Sequence, residues 1–261
     1  MNRFALVASF GLAALLTLPV SAQGGGGGGR RQRPEEIQNR VGAFFSDISG
    51  PTADGDKIDL ATTEFVRAAV AKEQLSVLYL HIGTDEQDTR ENFERMLFAS
   101  DELGIELRCF HCGRIDLSKE PALKTKYGDQ APLFIAFDKT GKAGDIVSMN
   151  GYKVAANALS KQLEKVAQGA LKPALATFAK EYGGLVRDLE NLLGRKKISK
   201  DRYAKAGSDK AKRAEADKDL REIEAEEEKV KAKEKEMLAK MQLPQRAENA
   251  QRLGGREGGG R

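Results

Sequence analysis

The sequence predicts an α/β fold: a mixed sheet with helices on both faces, followed by a charged helical extension. Three observations carry this prediction. Between residues 58 and 170, short apolar runs that end at turn residues alternate with amphipathic helical stretches. Asp138-Lys139-Thr140-Gly141-Lys142 has hairpin-turn chemistry, so the last two strands run antiparallel. Beyond residue 172 only helical spacing remains, and Lys, Arg, Asp and Glu fill 28 of the 46 positions from Arg195 to Lys240.

The elements follow in order. Thr62 to Gln74 is predicted as a helix, with Phe65, Ala68, Ala69 and Lys72 at helical spacing and Thr62 or Thr63 as N-cap. Ser76 to Ile82 is a short apolar run stopped by Gly83, which suits a buried strand. Asp88 or Thr89 caps the next helix, whose Phe93, Met96, Leu97 and Leu103 repeat near 3.6 residues, with Gly104 as the stop. Ile105 to Asp116 is strand-like, and Ser118 to Tyr127 is helical and closed by Gly128. Pro132 to Phe137 forms a central strand, Ile146 to Met149 returns after the turn, and Tyr152 to Gly169 closes the domain as a helix. Two βαβ units followed by an antiparallel hairpin give the mixed sheet. Asp54, Asp56 and Asp59 lack the continuation of a calcium loop and are read as a turn.

The chain of 261 residues has two Cys and no Trp, which excludes a disulfide-dense or multi-zinc scaffold. Its net charge of +4 is unevenly distributed. Residues 1–33 carry 4 basic residues and no acid, residues 34–172 carry 17 basic and 22 acidic, and residues 173–261 carry 22 basic and 17 acidic. The expected organisation is a signal peptide at 1–22, a Gly/Arg-rich linker at 23–33, the α/β domain at 34–172, a heptad helix at 173–194, a charged helical extension at 195–243 and a disordered Gly/Arg tail at 244–261. The signal reading rests on Arg3, the apolar run Phe4 to Leu18 and the small residues of Val20-Ser21-Ala22. It implies an exported chain, periplasmic or extracellular, with no membrane span after cleavage.

The order of elements and their residues resemble the thioredoxin-like superfamily over about residues 58–170. The resemblance rests on Ser76–Gly83, on Ile115-Asp116 followed by Leu123 and Tyr127-Gly128, and above all on Ala131-Pro132-Leu133-Phe134-Ile135-Ala136-Phe137-Asp138 with Gly141-Lys142. It implies that Pro132 is the family's cis-proline and that thiol–disulfide exchange is the frequent activity. In that family the reactive Cys-x-x-Cys follows the first core strand, at a helix N-terminus that lowers the thiol pKa. Here Thr84-Asp85-Glu86-Gln87-Asp88-Thr89 stands there, without sulfur. Carboxylates suit a helix N-terminus, but they do not exchange disulfides. The expectation is therefore a binding or interaction module without the usual redox activity and without a cofactor. Thr84, Asp85, Glu86, Asp88, Thr89 and Pro132 are its expected rim.

Cys109 and Cys112 form the chain's Cys-x-x-Cys, inside Arg108-Cys109-Phe110-His111-Cys112-Gly113. Three readings stand: buried structural cysteines, a disulfide across a local bend, or a relocated redox pair assisted by His111 and Arg108. In a regular strand residues three apart face opposite ways with Cα atoms about 10 Å apart, whereas a disulfide needs less than about 7 Å. No metal site is expected, because His81 and His111 have no finger-like spacing to the cysteines.

In the extension, Leu175, Phe178, Tyr182, Leu185, Leu189 and Leu192 are spaced 3, 4, 3, 4 and 3, a heptad seam that must cover something apolar. It packs on the protein's own domain or on a second copy; the latter would make a structural, oligomeric envelope protein. Gly183-Gly184 weakens the helix and Gly194 is the expected end. Asp209 to Met241 is read as a solvated helix with i,i+4 pairs Glu227–Lys231 and Glu236–Lys240. No nucleic-acid partner is expected, because the charged helix is zwitterionic and no aromatics interleave its arginines. A protein partner is expected without being identified.

Overall fold

The computed structural model describes residues 33–51, 58–83, 86–241 and 243–254. The expected signal peptide and all of the linker but Arg33 lie outside the described residues. Six strands form one mixed sheet: β1 (Phe44–Asp47), β2 (Leu75–His81), β3 (Phe110–Asp116), β4 (Leu133–Phe137), β5 (Val147–Ser148) and β6 (Gln251–Arg252), in the order β5-β4-β2-β3-β1-β6. β1 and β2 both run parallel to β3, β4 is antiparallel to β2, β5 to β4, and β6 to β1. Among the described residues eight α-helices accompany it: α1 (Glu35–Val41), α2 (Glu64–Ala71), α3 (Gln87–Leu97), α4 (Asp101–Leu107), α5 (Pro121–Tyr127), α6 (Ala156–Ala167), α7 (Leu175–Lys205) and α8 (Lys210–Met241).

Strand alternation splits the core into two layers. Val77 and Tyr79 of β2 join Phe45, Phe134, Leu97, Leu163 and Phe178 on one face. Leu78 and Leu80 join Val66, Ile115, Leu123 and Ile135 on the other. Burial on both faces explains why β2 reads as an unbroken apolar run.

Three expectations change and one open alternative is decided. First, residues 87–116 form two helices and a shorter strand rather than one helix and a long strand. Ser100 caps α4 by accepting from the Leu103 amide, and Leu103, Ile105 and Leu107 are all buried. Their period of two imitates a strand, yet the strand begins at Phe110. Gly104 lies inside α4 rather than ending α3, because α1 crosses there: a Cβ would stand 1.7 Å from the Val41 carbonyl oxygen. Second, α7 passes through Gly183, Gly184 and Gly194 to Lys205. Packing on α4 outweighs a helix cost of about 1 kcal/mol per glycine. Third, of the two readings of the heptad seam, packing on the chain's own domain is the one observed. Leu175, Phe178, Tyr182 and Leu189 belong to the main core, Leu192 is buried and Leu185 is half-buried. Self-association through this seam would need residues that already face the chain's own core. Fourth, residues 243–254 are not a disordered tail. β6 pairs with β1, the Leu253 amide donates to the Ala43 carbonyl, and the Arg246 guanidinium lies 3.7 Å from the centre of the Phe44 ring.

α8 returns along α7 with the expected Glu227–Lys231 and Glu236–Lys240 pairs. Near the domain, Glu234 binds Arg40 at 2.8 Å and accepts from the Tyr182 hydroxyl at 2.7 Å. No helix among the described residues is long and apolar enough to cross a membrane.

Candidate functional site

The three parallel strands end side by side in polar residues: Asp47 on β1, His81 on β2 and Asp116 on β3. His81 pairs in register with Asp116, and Asp47 with Arg114. Carboxyl ends of parallel strands are where open α/β sheets place ligands, and a cleft of about 540 Å³ opens there. It is lined by Asp47, Ser49, His81, Arg90, Arg114 and Asp116, with Gly83, Ile48, Lys119 and Glu120 around them.

Most of these groups are already oriented. Arg114 Nε donates to Asp47 Oδ1 at 2.7 Å, and that bond holds the Asp47 carboxyl below its ordinary range. Asp116 Oδ1 accepts from the Gly83 amide, the Ser118 amide and the Ser118 hydroxyl at 2.8, 2.9 and 2.6 Å. Burial raises the Asp116 pKa, but these bonds outweigh it and the net shift is downward. Behind the cleft the Tyr79 hydroxyl donates to Glu94 Oε1 at 3.2 Å. Burial raises the pKa of both groups.

His81 differs from these. It is 5% exposed, and its Nδ1 is buried with no hydrogen-bond partner among the described residues. Burial, reinforced by the Arg114 charge, pushes its pKa down to about 4, so the ring is neutral near pH 7. Arg90, on the first turn of α3, donates to the Gly83 carbonyl at 3.4 Å and has no acidic partner among the described residues. The cleft thus offers a neutral imidazole, a guanidinium and two oriented carboxylates to a polar group.

The expected rim adjoins this cleft. Glu86 is the N-cap residue of α3, and its Oε2 accepts from the Thr89 hydroxyl at 3.1 Å. Asp88 lies in the first turn. Thr84 and Asp85 lie outside the described residues. The Ala131–Pro132 peptide bond is cis. Leu133 pairs with Leu80, so the same register carried one residue further brings Pro132 level with His81.

Cys109 and Cys112 lie toward the opposite end of the sheet. Cys112 is four residues before Asp116 along β3, about 13 Å at strand spacing, and Cys109 precedes the strand. Both are buried and unbonded, and Cys112 Sγ donates to the Leu107 and Phe110 carbonyls. Burial pushes the Cys109 thiol up to about 12 and the Cys112 thiol higher still. The expected helpers are committed elsewhere. His111 stacks on Phe65 with ring centres 4.2 Å apart, and Arg108 lies 4.9 Å over the Tyr182 ring while donating to the Arg40 carbonyl.

Among the described residues, no group of three or more His, Cys, Asp or Glu is placed to hold a metal ion. Asp47, His81, Arg90, Arg114 and Asp116 come from three strands and a helix, so no local pattern in the sequence joins them. The available signal was His81, a polar residue inside the apolar run that forms β2. No protein-family model and no curated protein matches the chain.

Proposed function

We propose that this chain is an exported thioredoxin-like protein that acts as a binding module through the cleft around His81, without thiol–disulfide exchange. The single observation that carries the reading is the separation of sulfur from site. The loop between β2 and α3 has no cysteine, while Cys109 and Cys112 are buried toward the far end of β3. The parallel β1, β3 and β2, the antiparallel β4 and β5, and the cis bond before Pro132 support the fold assignment. The export reading rests on residues 3–22 of the sequence. A protein segment with polar side chains is the expected occupant of the cleft. The test is reduction of insulin disulfides by the full chain, with dithiothreitol as electron donor. The expected result is the rate of dithiothreitol alone. Acceleration that disappears in Cys109→Ser would overturn the proposal and favour an oxidoreductase.

A further inference from the structure

The α7–α8 hairpin extends past the domain. α7 contributes to the core as far as Leu193, and α8 from Val230 onward. Between these points the two helices cover one another. Ser199, Ala216 and Ile223 are buried outside both core layers, and Lys196 bridges Glu224 and Glu227. From Leu193 to Lys205 the helix advances about 18 Å at 1.5 Å per residue, so the turn at Ala206–Asp209 stands clear of the sheet.

Charge along this arm is polarised. Residues 195–213 hold nine Lys or Arg against two Asp, whereas residues 214–229 hold eight acids against three bases. The stem acids are drawn to the nearer cations: Glu226 to Arg195 at 2.7 Å, Glu224 and Glu227 to Lys196, Asp219 to Arg202 at 3.8 Å. Lys197, Lys200, Lys205 and Lys210 are exposed and have no acidic partner among the described residues. Among these cations sits a bare apolar side chain. Ile198 is 54% exposed; the helical repeat puts Arg195 and Arg202, each paired with an acid of α8, one turn away, and Lys205 two turns along the same face.

We propose that this tip docks on an anionic lipid bilayer surface. Charge complementarity selects an anionic partner, since each unpaired Lys near such a surface is attracted to it. Ile198 selects lipid over a soluble polyanion. Lysine stems spread their heads to the phosphates while an apolar side chain between them enters the headgroup boundary. A hairpin two helices wide offers no groove to follow a polymer strand, and the Tyr203 ring is covered by Arg213 at 5.4 Å rather than open for stacking. This inference stands apart from the cleft reading.

The test is sedimentation of the full chain with vesicles of phosphatidylcholine alone or with about one-third phosphatidylglycerol. Binding to the anionic vesicles is expected to be at least about tenfold tighter, and to weaken several-fold between about 0.1 M and 0.5 M salt. The variant K197E/K200E/K205E, with unchanged helix content by circular dichroism, is expected to lose about a hundredfold or more. I198S is expected to lose a few-fold with the same salt dependence. Equal binding to both vesicles, or an unaffected triple variant, overturns the proposal. An unaffected I198S together with equal affinity for heparin also overturns it, in favour of a polyanion site.

Discussion

Glu106 offers a stability test whose size and sign follow from its surroundings. It lies on α4 with 0% exposure; Oε1 accepts from the Ser160 hydroxyl of α6 at 2.7 Å, and Oε2 has no hydrogen-bond partner among the described residues. Burial pushes its pKa up to about 7, against the single opposing bond from Ser160. Below the ordinary carboxyl range both folded and unfolded chains hold the proton, and the site costs nothing. As pH rises toward 7 the unfolded chain releases the proton first, so stability falls through that window and is flat above it. An upward shift from 4.5 to about 7 corresponds to about 3 kcal/mol at full development. Glu106→Gln keeps the acceptor for Ser160 and removes the charge. Urea unfolding followed by circular dichroism is expected to give nearly equal stabilities for variant and parent at about pH 4, and a variant about 2–3 kcal/mol more stable at about pH 8. Parallel pH profiles for the two proteins would refute the burial argument.

Two further substitutions probe the packing around this layer. Gly104→Ala, favourable by about 1 kcal/mol in an open helix, is expected to destabilise by about 3 kcal/mol or more, because its Cβ meets the Val41 carbonyl. Equilibrium unfolding reads the sign directly. Glu234→Ala removes the acceptor of the Tyr182 hydroxyl and one of the two carboxylates on Arg40, which keeps Glu36 at 3.2 Å. A loss of about 2–4 kcal/mol is expected by denaturant titration, with Glu234→Gln recovering part of it through its remaining acceptor.

The sheet was legible where a local pattern coincided with the tertiary environment. β2 and β4 are buried on both faces and read as apolar runs, and Asp138 organises the following turn by accepting from the Thr140 and Lys142 amides. α1 and β1 were not assigned, since β1 is four residues long and its parallel partner lies more than sixty residues away. Ile105 and Leu107 alternate like a strand, but residues 103–107 are all buried, so the intervening Gly104 and Glu106 mark no solvent-facing side of a helix. Gly183-Gly184 reads as a weak point and Gly194 as a stop because propensity is local and the packing of α7 is not. For the site, the missing sulfur after β2 and Pro132 were visible in the chain. The cleft itself was not, because adjacency of Asp47, His81 and Asp116 is created by strand pairing. The spacing of Cys109 and Cys112 was equally visible, while their burial depends on helices α4, α7 and α8 and on the returning C-terminal segment.

Thiol labelling of the native full chain at about pH 8 shows most directly whether Cys109 and Cys112 can serve as a reaction centre. With the Cys109 thiol pushed up to about 12 from an ordinary 9.0, its thiolate fraction falls by about three orders of magnitude, and burial removes direct access for the reagent. Both cysteines are expected to label at least about a thousandfold more slowly than an exposed thiol, and completely once urea unfolds the chain. Rapid labelling of either Cys109 or Cys112 in the folded protein would contradict the account.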